Sequence, residues 1–194
     1  MKHLFVVTAL VGVLGATQAQ AQDRGGFRIG LNAATLSTND ETDFDPKVRT
    51  GLVVGLFGTV PINDMVAFQP EVLFSQQGAK VEEGSDSGKI KLDFVQIPLL
   101  AKFKLGANSP VHALVGPSFG FRTKAEVEAN DETDDIAEDV EKMDVGLVTG
   151  VGINVGPGVV DARYTWGLRN LDKTPDSTDK VKSRVFSISF GWRF

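Results

Sequence analysis

From Phe27 onward the chain places large apolar residues at every second position. Between them sit glycine, serine, asparagine and charge. Side chains of an extended strand alternate between two faces, so a period of two marks strands with one apolar face; a helix would repeat near 3.6. "FRIGLNA" sets Phe27, Ile29, Leu31 and Ala33 against Arg28, Gly30 and Asn32. "FSISFGWRF" sets Phe186, Ile188, Phe190, Trp192 and Phe194 against Ser187, Ser189, Gly191 and Arg193. Six further segments behave alike, near 52–60, 66–74, 95–103, 111–121, 145–153 and 160–168.

The connections alternate in length. "PIND", "GANS" and "GPG" have tight-turn composition. "STNDETDFDP", "GAKVEEGSDS", the acidic stretch 123–141 and "NLDKTPDSTDK" are longer and polar, and they read as loops. Three short turns and four long loops in alternation describe eight antiparallel strands in an up-and-down meander. Both ends of the meander then fall on the short-turn side.

The second face decides the solvent. A soluble eight-stranded barrel such as a lipocalin needs an apolar lumen. Here the phase that would line it is rich in glycine, serine and charge, and poor in core-filling side chains. A barrel in lipid inverts the arrangement, with an apolar outside and a polar lumen, and closure leaves no unpaired backbone edge. The segments also match the roughly 9–11 residues that a tilted strand needs to cross hydrocarbon. The expected fold is therefore all-β: an eight-stranded antiparallel up-and-down transmembrane β-barrel.

Residues 1–21 carry a different signal. Lys2 and His3 precede a short apolar run, and Ala19 and Ala21 form an A-x-A site. This is the pattern of a secretory signal peptide, too short to span a bilayer. The expected organisation is a signal peptide at 1–21 and a barrel domain at 22–194. The chain has no cysteine and only two histidines, of which His112 alone lies beyond residue 21. Thiolate and histidine-rich metal sites are excluded. The net charge of -5 gives no ground for nucleic-acid binding.

Two features interrupt the alternation. Pro70 and Pro117 lie on the lipid-facing phase, where proline removes a ladder donor, so bulges or open pairing are expected there. Ile90, Leu92 and Phe94 lie on the opposite parity from Val95, which reads as a change of phase at a bulge near 94–95.

Several stretches together resemble the PorT-like outer-membrane β-barrel family of Gram-negative bacteria. They are "GLNAA" at Gly30, "QPEVLFSQQG" at Gln69, "FVQIPLLAKF" at Phe94, "GPSFGF" at Gly116, "DVGLVTGVGI" at Asp144 and "ARYTWGLRNL" at Ala162. The resemblance covers the chain beyond the signal peptide. It implies an eight-stranded barrel in the outer membrane and says little about activity; some relatives are accessory parts of a protein-secretion system. It also implies that the terminal aromatic phase, Phe190, Trp192 and Phe194, presents the closing strand to barrel-insertion machinery.

The lumen phase holds Arg28, Arg49, Glu71, Lys102, Arg122, Asp144, Asp161, Arg163 and Arg193. A lumen of eight strands is just wide enough for side chains to fill it, and buried charges must be paired. A packed polar network is expected rather than an open path. Arg122 and Asp144 are expected to meet at the loop-side rim. Asp161 is expected to partner Arg28 and Arg193 near the short turns. Tyr164, Trp166, Trp192 and Phe194 suit interfacial belts. The acidic stretch reads as a solvated loop, with weak calcium contact as the alternative. His112 shows no serine or carboxylate beside it in sequence, so catalysis is not expected.

These readings lead to a non-enzymatic barrel of the outer membrane with periplasmic termini and no cofactor, whose surface loops serve envelope support or contact with a partner. Its partners are outer-membrane lipid, the insertion machinery and a protein bound at the long loops. The alternatives are an accessory barrel of a secretion or transport system, or a narrow pore.

Overall fold

The computed structural model describes residues 25–37, 47–83, 86–106, 108–129, 132–136, 138, 140–172 and 181–194. Residues 1–21, where a signal peptide is expected, most of "STNDETDFDP" and most of "NLDKTPDSTDK" lie outside them.

Ten strands are present among the described residues: β1 Gly25–Ser37, β2 Lys47–Gly58, β3 Val60–Pro61, β4 Val66–Glu83, β5 Asp86–Lys104, β6 Val111–Ala129, β7 Glu132–Asp135, β8 Met143–Val155, β9 Gly158–Gly167 and β10 Lys182–Arg193. β3 continues β2 past Thr59 and pairs with β4 in unchanged register. β7 pairs only with β6. Eight staves remain, all antiparallel. β1 pairs with β10, placing Phe27 opposite Trp192, and β2 pairs with β4, so the sheet closes on itself. This is the expected fold.

The tight turns form for local reasons. Asn63 accepts hydrogen bonds from the Met65 and Val66 amides at 2.9 and 2.8 Å, an Asx turn. Gly156 takes φ 59° and opens the two-residue connection between Val155 and Gly158.

The expected lipid face is the exposed one. Phe27, Ile29 and Leu31 on β1 are exposed, as are Leu52, Val54 and Leu56 on β2 and Phe186, Ile188 and Phe190 on β10. Water would not tolerate so continuous an apolar girdle on a folded monomer.

Three corrections concern the other face and the strand ends. First, the lumen is less poor in core-filling groups than its sequence phase implied. Val53, Phe57, Leu73, Leu100, Leu114, Val148, Val159 and Val185 are buried inside it. A lumen this narrow packs like a protein interior, and its glycines give way to neighbouring bulk: a Cβ at Gly191 would approach the Phe57 ring at 3.0 Å.

Second, two stretches read as loops are strands. β4, β5 and β6 run 18, 19 and 19 residues, about twice what hydrocarbon requires. Residues 78–83 and 86–87 of "GAKVEEGSDS" pair within the β4–β5 ladder, and the start of the acidic stretch continues β6. The barrel wall thus stands well above the membrane on its loop side.

Third, β5 keeps its phase. Ile90, Leu92 and Phe94 face inward with Gln96, Pro98 and Leu100, and the outer half of the strand carries its apolar residues on the inside. The bulge falls on β6 instead. Phe94 pairs with Arg122 and Asp93 with Lys124, so Thr123 is the extra residue; its hydroxyl donates to the Asp93 carbonyl at 3.0 Å.

At the prolines the ladder opens without slipping. β4–β5 pairing skips Glu71 and Val72 and resumes in the same register. β5–β6 pairing skips Leu99 and Leu100 in the same way.

Candidate functional site

The lumen is closed in layers. Nearest the tight turns is a polar network built from four staves. Arg28 comes from β1, Gln69 and Glu71 from β4, His112 from β6, and Asp161 and Arg163 from β9; all are buried. Arg163 grips Glu71 with both terminal nitrogens, Nη1 to Oε2 at 2.7 Å and Nη2 to Oε1 at 2.8 Å, the bidentate geometry that suits guanidinium and carboxylate. Its Nη2 also donates to Asp161 at 2.9 Å. Arg28 donates to Asp161 at 2.5 Å and to Ser189 at 2.7 Å, and it lies 3.5 Å from Glu71. Gln69 donates to Glu71 at 2.6 Å. Two arginines thus share two carboxylates, and the Arg28 guanidinium also lies 5.0 Å from the Phe57 ring centre.

His112 completes the network. Its Nε2 lies 2.9 Å from Asp161 Oδ1, and its Nδ1 faces the Asn154 amide at 3.4 Å. A carboxylate therefore does stand beside this histidine, two staves away, contrary to the sequence reading. The intervening stave supplies Gly152, where an added Cβ would fall on the Asp161 carboxylate and the His112 ring. The pair is sealed from solvent.

Above this network Arg28, Asn32, Gln96, Ser118, Arg163 and Ser189 help line a cavity of about 20 Å³, room for a single water. Higher still, Leu36, Ala79, Leu92, Phe94, Ala125 and Leu171 form an apolar cluster at the loop end, with Ile90, Ile136, Val140 and Val181 packed on it. Each fully buried Leu or Phe contributes about 1.5–3 kcal/mol.

The remaining expected residues separate. Lys102 is half-buried near the network and forms no ion pair among the described residues. Asp144 accepts a hydrogen bond from Ser183 of β10 at 2.9 Å rather than pairing with Arg122. Arg122 extends from the inner phase of β6, where its amide donates to the Lys142 carbonyl at 2.9 Å. Arg193 bonds the Gly156 and Pro157 carbonyls and holds the β8–β9 turn, so Asp161 takes Arg28 alone of the two expected arginines. Arg49 also leaves the lumen. The β2–β4 register slips between Val48 and Val53, and the guanidinium lies over Gly78 to reach the Gln77 carbonyl. Gly78, at φ 125°, leaves it room.

Trp192 and Phe194 are exposed at the turn end, with Phe190 6.3 Å from Trp192 between ring centres. Tyr164 and Trp166 pack together at 4.6 Å and are half-buried near the loop end. Trp192 pairs with Gly158, eight residues along β9 from Trp166. At about 3.3 Å per residue and roughly 40° of tilt the two aromatic levels stand about 20 Å apart, close to the height of an apolar band between girdles.

The loop-side hairpin carries a cross-strand charge ladder. Asp93 opposes Lys124, Lys91 opposes Glu126, and Lys89 opposes Glu128. Glu128 contacts Lys91 closely and Lys89 at 3.8 Å, and Lys124 bonds Glu126 at 2.9 Å. Lys91 and Lys89 hold the Glu128 carboxyl below its usual range. Glu126 and Glu128, in the acidic stretch read as a solvated loop with calcium contact as the alternative, thus face lysines. Asp131 and Asp139 lie outside the described residues.

Residues 18–173 match the family model described as outer membrane protein beta-barrel domain. The chain belongs to this family. Its fold is shared with two crystal structures. One is Ail, the attachment invasion locus protein of Yersinia pestis, at 18% identity and TM-score 0.53, covering 90% of this chain and 100% of Ail. The other is Neisserial surface protein A, at 19% identity and TM-score 0.53, covering 91% and 100%. No curated protein sequence matches the chain significantly. It is an eight-stranded β-barrel of the bacterial outer membrane.

Proposed function

We propose that this barrel is a non-enzymatic, non-conducting surface protein that anchors and displays the β4–β5–β6 wall outside the cell. The carrying observation is the closure of the lumen at both levels, by the Arg28–Glu71–Asp161–Arg163 network and by the apolar cluster around Phe94. Side chains fill the space that a pore would need. The tight turns and the meander's ends then face the periplasm and the long strands face outward, in keeping with short periplasmic turns in barrels of this kind.

The absence of cysteine allows a direct test of this orientation. Lys89→Cys, on the tall wall, is expected to react with a membrane-impermeant maleimide on intact cells. Asn63→Cys, in the turn between β3 and β4, is expected to react only after the outer membrane is breached. The reverse pattern contradicts the reading.

The PorT-like resemblance supports a second reading, an accessory barrel for secretion. "FVQIPLLAKF" forms the part of β5 where the ladder opens beside Pro70 and Pro117. A protein partner at the tall wall belongs to either reading. Capture of a secretion component after gentle solubilisation, lost when the β4–β5 hairpin tip is removed, favours the second.

A further inference from the structure

Among the described residues Lys102 is a cation without a bonded counterion. It sits on the inner phase of β5, opposite the buried Leu114 and two residues beyond the buried Leu100. It is half-buried and forms no hydrogen bond or ion pair. The carboxylates above it are already taken. Asp161 accepts from Arg28 and Arg163 and contacts His112. Glu71 accepts from Arg163 and Gln69. A half-buried ammonium left without an anion is costly.

Two more cations stand at its level. Arg193 lies on β10, with three staves between it and β5 in either direction, so the two face each other across the lumen. The ladder from Trp192 runs through Phe27, Leu56 and Val72 to the position of Ile97 on β5. At roughly 40° of tilt it climbs about 3 Å per stave, or about 12 Å in all. Lys102 lies five residues from Ile97 toward the tight turns, which returns it to the height of Trp192 and Arg193. Lys104 follows on the same phase and is exposed at the rim. Arg193 bonds two backbone carbonyls and pairs with no described carboxylate. Asp64 in the β3–β4 turn and the terminal carboxylate also stand at this end, and neither pairs with the three cations.

Two uncharged groups complete the level. Thr59 follows Phe57 on the inner phase and, in the unchanged β2–β4 and β3–β4 register, stands opposite Gln69. Thr59 Oγ1 and Gln69 Oε1 are both buried, and neither has a hydrogen-bond partner among the described residues. Buried polar atoms are ordinarily paired.

These groups define an occupant. They belong to the inner phase, so bilayer headgroups do not reach them. The Arg28–Glu71–Asp161–Arg163 network closes the lumen above them. The occupant enters from the turn side, and the narrow barrel keeps it small. The three cations and the Thr59 hydroxyl can donate to it, whereas Gln69 Oε1 can only accept. Hydrogen phosphate offers the complement: oxygens that accept and a hydroxyl that donates. Sulfate, chloride and a carboxylate carry no donor at neutral pH.

We propose that Lys102, Arg193 and Lys104, with Thr59 and Gln69, bind a phosphate group at the turn-side mouth of the barrel. The orientation proposed above makes that compartment the periplasm; the binding itself does not depend on it.

Isothermal titration of the full chain, folded in detergent micelles at constant chloride, tests this with inorganic phosphate, glycerol 3-phosphate and sulfate. Saturable binding of one phosphate group per barrel is expected, with sulfate weaker on the order of tenfold or more. Lys102→Gln should weaken phosphate on the order of tenfold or more, and Lys102→Arg should retain most of the affinity. Lys89→Gln removes the same charge from the tall wall and should change nothing. Heat-modifiable gel mobility certifies that each variant is folded, and the wild-type comparison of phosphate with sulfate decides even where a variant does not fold. Tighter binding of the ester assigns a phosphorylated solute and tighter binding of the ion assigns free phosphate; either supports the proposal. Absence of saturable binding of both phosphate probes by the wild type overturns it. So does equal binding of sulfate, undiminished affinity in folded Lys102→Gln, or an equal fall in Lys89→Gln. Binding that emerges only in Asp23→Asn also overturns it, because the chain's own segment ahead of β1 then occupies the cations.

Discussion

His112 and Asp161 meet across Gly152, a contact at 2.9 Å between side chains whose strands are separated by a third. The glycine is the only residue that leaves the intervening strand flat enough for both to reach over it. Gly152→Val should therefore push the pair apart and break the His112 contact, leaving Asp161 to Arg28 and Arg163. A loss of about 3 kcal/mol or more in urea unfolding from lipid is expected, combining overpacking with a broken buried contact. In the His112→Ala background the same substitution should cost measurably less; equal costs in both backgrounds would show that the contact contributes nothing.

Glu71 neutralises Arg163 through two hydrogen bonds and lies near Arg28. Glu71→Gln should destabilise the barrel by about 3–5 kcal/mol, because two buried guanidinium groups then share one carboxylate. Glu71→Met with Arg163→Met removes both charges and should recover most of that loss. The midpoint and slope of urea unfolding distinguish the two results.

The ladder on the tall wall should be sensitive to acid. Lys91 and Lys89 depress the Glu128 carboxyl, so its folded value lies below its unfolded one. The stabilisation is present above the unfolded value of about 4.3 and is lost as pH falls through the folded value. Amide protection in the β5–β6 segment outside the membrane should decline between about pH 5 and 3. Glu128→Gln should flatten that decline; an unchanged profile would contradict the assignment.

Phe194 is 71% exposed, and its amide donates to the Gly25 carbonyl at 2.9 Å where the first and last strands meet. Its ring contributes lipid contact and, by the family resemblance, a handle for insertion machinery. Phe194→Ala should slow assembly into outer membranes more than it lowers the unfolding midpoint of the assembled barrel. A drop in stability that accounts for the whole assembly defect would remove the handle.

Much of this architecture was legible in the alternation of side chains. The phase of Phe27, Ile29 and Leu31 gave the lipid face, and closure brought Arg28 to Asp161. The tall wall was not legible. Beyond the bilayer a strand faces water on its outside, so "GAKVEEGSDS" carries loop composition while still pairing in a ladder. Ile90, Leu92 and Phe94 signalled a phase change only on the assumption that apolar residues point at lipid; above the membrane they point inward to the apolar cluster. Arg49 left the lumen through a register slip that composition does not encode. The reach of His112 over Gly152 depends on side-chain length across a strand, which a period of two cannot report.

The central claim is a filled lumen, and single-channel recording in planar bilayers tests it most directly. The folded wild-type barrel is expected to insert without discrete conductance steps at moderate voltage. Steps should emerge only when both closures are cut back, as in Arg163→Ala/Glu71→Ala combined with Phe94→Ala. Reproducible, ion-selective steps from the wild type, altered by Arg163→Ala, would contradict the account and identify the network as the lining of a pore.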